Sequence, residues 1–90
     1  MSADPLSPFA LLVARTARDL GENAYGVTIR ARLCRMQNHS VSLGAVYVAL
    51  WELEERDVLR GQEEEGGPER SGRPKRYYYP GPRYPEEVPE

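Results

Sequence analysis

SLGAVYVALWELEERDVL, residues Ser42 to Leu59, followed after twelve intervening residues by GRPKRYYY, Gly72 to Tyr79, decides how this chain folds. Ser42 is a good N-cap, and Leu43, Val46, Leu50 and Leu53 recur at helical spacing, so a helix runs from there to about Asp57. Val58 to Gly61 then begins a short strand, and a second strand lies around Lys75 to Tyr79. Between them, Glu63 to Gly72 holds three glycines, one proline and no apolar residue, which reads as the solvated tip of a hairpin.

Upstream, Ser7 caps and Pro8 opens a helix that reaches Leu20, with Gly21 placed to close it in a left-handed conformation. Phe9, Leu12, Val13, Ala17 and Leu20 form its apolar stripe, and Leu11 lies off that stripe, where it can face a partner chain. Residues Ala24 to Gln37 are ambiguous. Tyr25, Val27, Ile29, Ala31 and Leu33 alternate as in a strand, whereas Tyr25, Ile29, Leu33 and Met36 also fit a helix. The run Arg30 to Gln37 favours the helix, and the β-branched Val27, Thr28 and Ile29 count against it. Three helices followed by a two-stranded hairpin make an α+β winged helix-turn-helix. The expected division is an N-terminal arm over 1–7, the winged-helix domain over 8–79, and a tail over 80–90 whose four prolines predict extended or disordered chain.

Ninety residues, 40% of them hydrophobic, support one domain with a modest core, for which oligomerisation is a natural source of extra stability. The net charge of −2 and pI near 5.5 provide no global basic field. Charge is segregated instead: Arg70 to Arg76 carries four positive side chains, just downstream of Glu63, Glu64 and Glu65. Cys34 is the single cysteine and cannot form an internal disulfide, and no signal peptide opens the chain, so the cytoplasm is the expected address. The longest nearly apolar stretch, Pro8 to Ala14, is too short to span a bilayer. Cys34 and His39 are too few for a zinc site, and neither a catalytic triad nor a Gly-rich phosphate loop is present, so a non-enzyme without a cofactor is expected.

The blocks Ser42–Leu59 and Gly72–Tyr79, with Gly21 to Leu33 and its Ala-Tyr-Gly-Val-Thr-Ile core, resemble the PadR-like transcriptional regulators. The resemblance covers most of Phe9 to Tyr79. It implies a homodimer that binds double-stranded DNA with the third helix in the major groove and the wing beside the phosphate backbone, and a DNA affinity that responds to a small aromatic or apolar effector. The sequence departs from the family in three respects. Trp51 and Glu52 stand where basic residues are common, Val48 stands where proline is common, and the proline-rich tail replaces the helices that usually dimerise.

In the DNA-binding reading, Ser42, Gly44, Ala45, Tyr47 and Val48 approach the bases, because the N-terminal residues of a recognition helix come closest to the groove. Arg73, Lys75 and Arg76 in the wing, with Arg35 on the second helix, contact phosphates. The plainer alternatives are that Gly44 and Ala45 ease packing, that Tyr47 is half-buried, and that the wing cations are a solvated strand edge that blocks unwanted pairing. Trp51 and Leu11 are candidates for an interface or a ligand platform. A sequence-specific repressor is the first expectation. The alternative is a winged-helix protein-interaction module without DNA binding, suggested by the acidic pI, Glu52 and the missing dimerisation helices.

Overall fold

The computed structural model describes residues 6–38, 40–63 and 76–88, apart from the side chains of 85 and 87. Helix α1 spans Pro8–Leu20, the range that its caps predict. Ser7 Oγ accepts the Ala10 N–H at 3.1 Å, and at the other end Gly21, at φ +60°, turns its N–H back to the carbonyls of Ala17 and Arg18. A left-handed residue at this place favours glycine because a Cβ would be strained there. The buried face of α1 is mostly small, with Ala10, Ala14 and Ala17 beside Val13, so neighbouring elements approach closely. Thr16 is buried too, and its hydroxyl is satisfied by donating to the Leu12 carbonyl at 2.7 Å.

The ambiguous second segment is both things in turn. The Tyr78 N–H donates to Ala24 O at 2.9 Å, and Tyr25 bridges antiparallel to Tyr77. Helix α2 then begins at Gly26 and ends at Gln37. The strand-like alternation is therefore real for two residues, after which Ile29 and Leu33 are buried at helical spacing. Thr28 turns from an obstacle into a cap, its hydroxyl accepting the Tyr25 N–H at 3.1 Å.

The turn into the third helix is fastened from α2. Arg30 Nε donates to Val41 O at 2.7 Å, and the Val41 N–H donates to Cys34 Sγ at 3.3 Å. Arg30 is thus committed to holding this turn. Helix α3 spans Leu43–Glu55, with Ser42 Oγ accepting the Ala45 N–H at 3.0 Å, and it buries Val46, Ala49, Leu50 and Leu53. Strand β1 (Leu59–Glu63) pairs antiparallel with β2 (Arg76–Pro80), Gly61 opposite Tyr78. Tyr78 points inward, Tyr77 meets Tyr25 edge-on at 5.2 Å, and Tyr79 faces out, as strand alternation requires. The hairpin tip lies outside the described residues.

Beyond β2 the structure departs from the expected extended or disordered tail. The Gly81 N–H donates to Val58 O at 2.8 Å and the Arg83 N–H to Asp57 O at 3.0 Å, and a single helical turn, α4 (Tyr84–Glu87), follows. Tyr84 and Val88 join the core, with the Arg18 guanidinium 5.8 Å from the Tyr84 ring centroid. Pro85 is compatible with this turn because it sits at its start, where a proline's missing N–H has no partner to lose. Four residues of helix are within what such a sequence allows, and two apolar side chains one turn apart give them something to bury.

Candidate nucleic-acid interface

Because α3 buries Val46, Ala49, Leu50 and Leu53, its opposite face is left to solvent. Ser42, Gly44 and Ala45 are exposed, and a Cβ built on Gly44 would meet nothing within 4 Å. Val48 is 67% exposed, Trp51 65% and Tyr47 48%. The five sequence-predicted groove residues therefore share one accessible surface, and Trp51 continues it. The Tyr47 ring lies across the start of α2, where a Cβ on Gly26 would be 2.6 Å from it.

Helix α3 carries Glu52, Glu54 and Glu55 and no lysine or arginine. Two of these carboxylates are paired: Glu52 with Arg56 at 3.7 Å, and Glu54 with Arg76 of β2. The N-terminal half of the helix is uncharged.

Arg76, expected at the phosphate backbone, is partly exposed and engaged with α3. Its guanidinium pairs with Glu54, lies 5.9 Å from the Tyr78 ring centroid and crosses above Gly61, where a Cβ would come within 2.6 Å of its Nε. The Glu54 hydrogen bond raises its pKa further, keeping it charged. Strand alternation explains the orientation, because Arg76 and Tyr78 are two residues apart and share the inward face. Arg35 is exposed in the last turn of α2, Arg73 and Lys75 lie outside the described residues, and Leu11 is half-buried against the core beside a shallow depression lined by Pro8, Phe9, Leu12, Arg15 and Gln37.

Between α3 and β2, Tyr47, Trp51, Glu54, Glu55, Arg76 and Tyr78 line an open cleft of about 500 Å³. Sequence reasoning found Tyr47, Trp51 and Arg76 but not the Glu54–Arg76 pair, whose members are 22 positions apart and meet only through the hairpin register. Burial pushes the Tyr78 phenol above the ordinary tyrosine range, and Arg76 pulls the other way. A phenol whose folded pKa is raised contributes stability that is fully present below its unfolded pKa, near 10, and is lost as pH rises through the folded value. Thermal melts should show the midpoint falling as the pH rises past about 10, more steeply in the native protein than in Tyr78→Phe. Equal slopes would mean that Tyr78 ionises without strain.

The fold and the exposed third helix define a winged helix-turn-helix. Among solved structures, a PadR-like transcription factor from Bacteroides fragilis superposes with a TM-score of 0.69 at 20% identity, over 87% of this chain and 70% of that one. Pex from Synechococcus sp. superposes with a TM-score of 0.56 at 26% identity, over 83% of this chain and 66% of that one. No protein-family model matches the sequence, and no curated protein does. The likeness establishes the fold as that of the PadR-like winged helices. Among the described residues no group of His, Cys, Asp and Glu side chains could hold a metal ion, and no helix is long and apolar enough to cross a membrane.

Proposed function

We propose that this chain is a DNA-binding transcriptional regulator, a repressor that acts as a homodimer by occupying its operator with α3 in the major groove. The observation that carries this reading is the uncharged, solvent-facing first half of α3, with Ser42, Gly44, Ala45 and Val48 exposed on a helix firmly packed along its other side. Small and apolar side chains there let the helix approach base edges and thymine methyls. A recognition helix without basic residues is compatible with this role because phosphate contacts position a protein and base contacts specify its site. The phosphate contacts fall to Arg35, Arg73 and Lys75, while Arg76 holds the wing to α3.

Fluorescence anisotropy of the purified protein with native upstream DNA and a shuffled control, over a range of salt, tests the reading. Preference for the native DNA should persist at higher salt, and the logarithm of affinity should fall against that of salt with a slope of about −3 per protomer, from three phosphate contacts. Arg35→Glu should lower affinity for both DNAs alike and flatten that slope by roughly one. Failure to bind either DNA would favour a second reading, a winged-helix protein-interaction module. The observation on its side is that the exposed face of α3 ends in Trp51 and carboxylates with no cation on the helix.

A further inference from the structure

We propose that the cleft between α3 and β2 binds a small organic cation of the quaternary-ammonium type. Three aromatic side chains from two elements converge on it, Tyr47 and Trp51 one helical turn apart on α3 and Tyr78 on β2. An indole left 65% exposed beside a half-exposed phenol is a contiguous apolar patch, and such patches mark binding surfaces when polar groups rim them. Here the rim is acidic. Glu54, Glu55 and Arg76 give the lining one net negative charge, and since Arg76 is taken by Glu54, the exposed Glu55 carboxylate stands without a described partner beside the aromatic faces.

Aromatic faces attract cations through the ring quadrupole, with tryptophan the strongest, and a nearby carboxylate adds to the attraction. The cleft already treats one cation in this way: the Arg76 guanidinium lies over the Tyr78 ring and pairs with Glu54. Trp51, Tyr47 and Glu55 repeat that combination of ring and carboxylate for a second cation from solution. A volume of about 500 Å³ suits a small molecule. Alternative ligands fit less well. An anion would meet Glu55, and a hard metal ion needs several oxygen ligands, whereas this lining offers two carboxylates, one of them held by Arg76. The inference does not depend on DNA binding, and its test uses no DNA.

Trp51 is the chain's one tryptophan, so its fluorescence reports on the cleft directly. The probe is choline, titrated into the full chain alongside the neutral alcohol that carries a tert-butyl group in place of the trimethylammonium. Choline should change the Trp51 emission saturably with a dissociation constant on the order of 1 mM, and the neutral alcohol should act at least several-fold more weakly. Glu55→Gln, at an exposed position and checked for folding by circular dichroism, should weaken choline binding at least threefold. Glu86→Gln, which removes a carboxylate elsewhere, should leave it unchanged. Equal responses to choline and the neutral alcohol, a response that never saturates, or unchanged binding in Glu55→Gln would overturn the proposal.

Discussion

Gly81→Ala should lower the midpoint of thermal unfolding by on the order of 10 °C, the largest effect we expect from one added methyl group in this protein. A Cβ at Gly81 would sit 2.4 Å from the Asp57 carbonyl oxygen, 3.1 Å from its carbon and 3.3 Å from the Val58 carbonyl carbon. These are backbone atoms, and they are fixed from several sides. Asp57 is itself left-handed at φ +61°, its carbonyl accepts the Arg83 N–H, the Val58 carbonyl accepts the Gly81 N–H, and the Val58 N–H is bound to Leu53 O at 3.0 Å. No side chain can swing aside, so either the tail or the corner between α3 and β1 must move. Overpacking of this kind costs about 1–3 kcal/mol, and in a domain of this size each kcal/mol is worth roughly 4–8 °C. Gly61→Ala is the matching control. The nearest atoms to its new methyl would be the guanidinium end of Arg76, a side chain that yields more readily than backbone although its shift strains the pair with Glu54, so its midpoint should move by less. Scanning calorimetry of the two variants decides the matter, and a Gly81→Ala midpoint equal to that of the native protein would show that the tail does not close on this corner.

The contrast between the helices and the tail shows what is legible in this sequence. Helix α1 is readable to the residue because its signals are local: a serine hydroxyl, a proline ring and a left-handed glycine each act within one turn of the place they mark. Ser42 does the same for the start of α3. The start of α2 is hard to read because two structures overlap there, a two-residue pairing with β2 and a helix that reuses the neighbouring β-branched residues. The tail misleads for a different reason. Its prolines argue correctly against a long helix, but they do not argue against packing, and Tyr84 and Val88, four positions apart, carry a burial signal that proline content obscures.

The exposed surface of α3 is equally legible, since a buried stripe at helical spacing leaves the other side open. What the sequence conceals is the chemistry across the hairpin. Arg76 belongs to a run of cations that reads as a phosphate contact, and its true orientation depends on which face Tyr78 takes and on the register with β1. Once Tyr78 is inward, Arg76 must follow it and meet α3, where Glu54 neutralises it. Arg76 is therefore paired within the domain, and α3 has one fewer uncompensated carboxylate.

Val48→Glu tests whether that rebalanced surface enters the major groove. The side chain is 67% exposed on the outward face of α3, and glutamate is a better helix former than valine, so the thermal midpoint should stay within about a degree or two of the native value. In the groove the change removes an apolar contact and puts a carboxylate among base-edge acceptors and phosphates, an exchange worth about 1–3 kcal/mol. Affinity for the native DNA should fall roughly ten- to a hundredfold, and the preference over shuffled DNA should shrink with it. Val27→Glu places the same charge at an exposed position on α2, outside the predicted groove face, and should cost much less. The pair separates two ways for a protein with a net charge of −2 to hold DNA. If α3 reads bases, Val48→Glu acts on specificity and Val27→Glu hardly acts. If DNA is held only by cations such as Arg35, both variants weaken binding to every sequence by similar small factors, and α3 has no place in the groove.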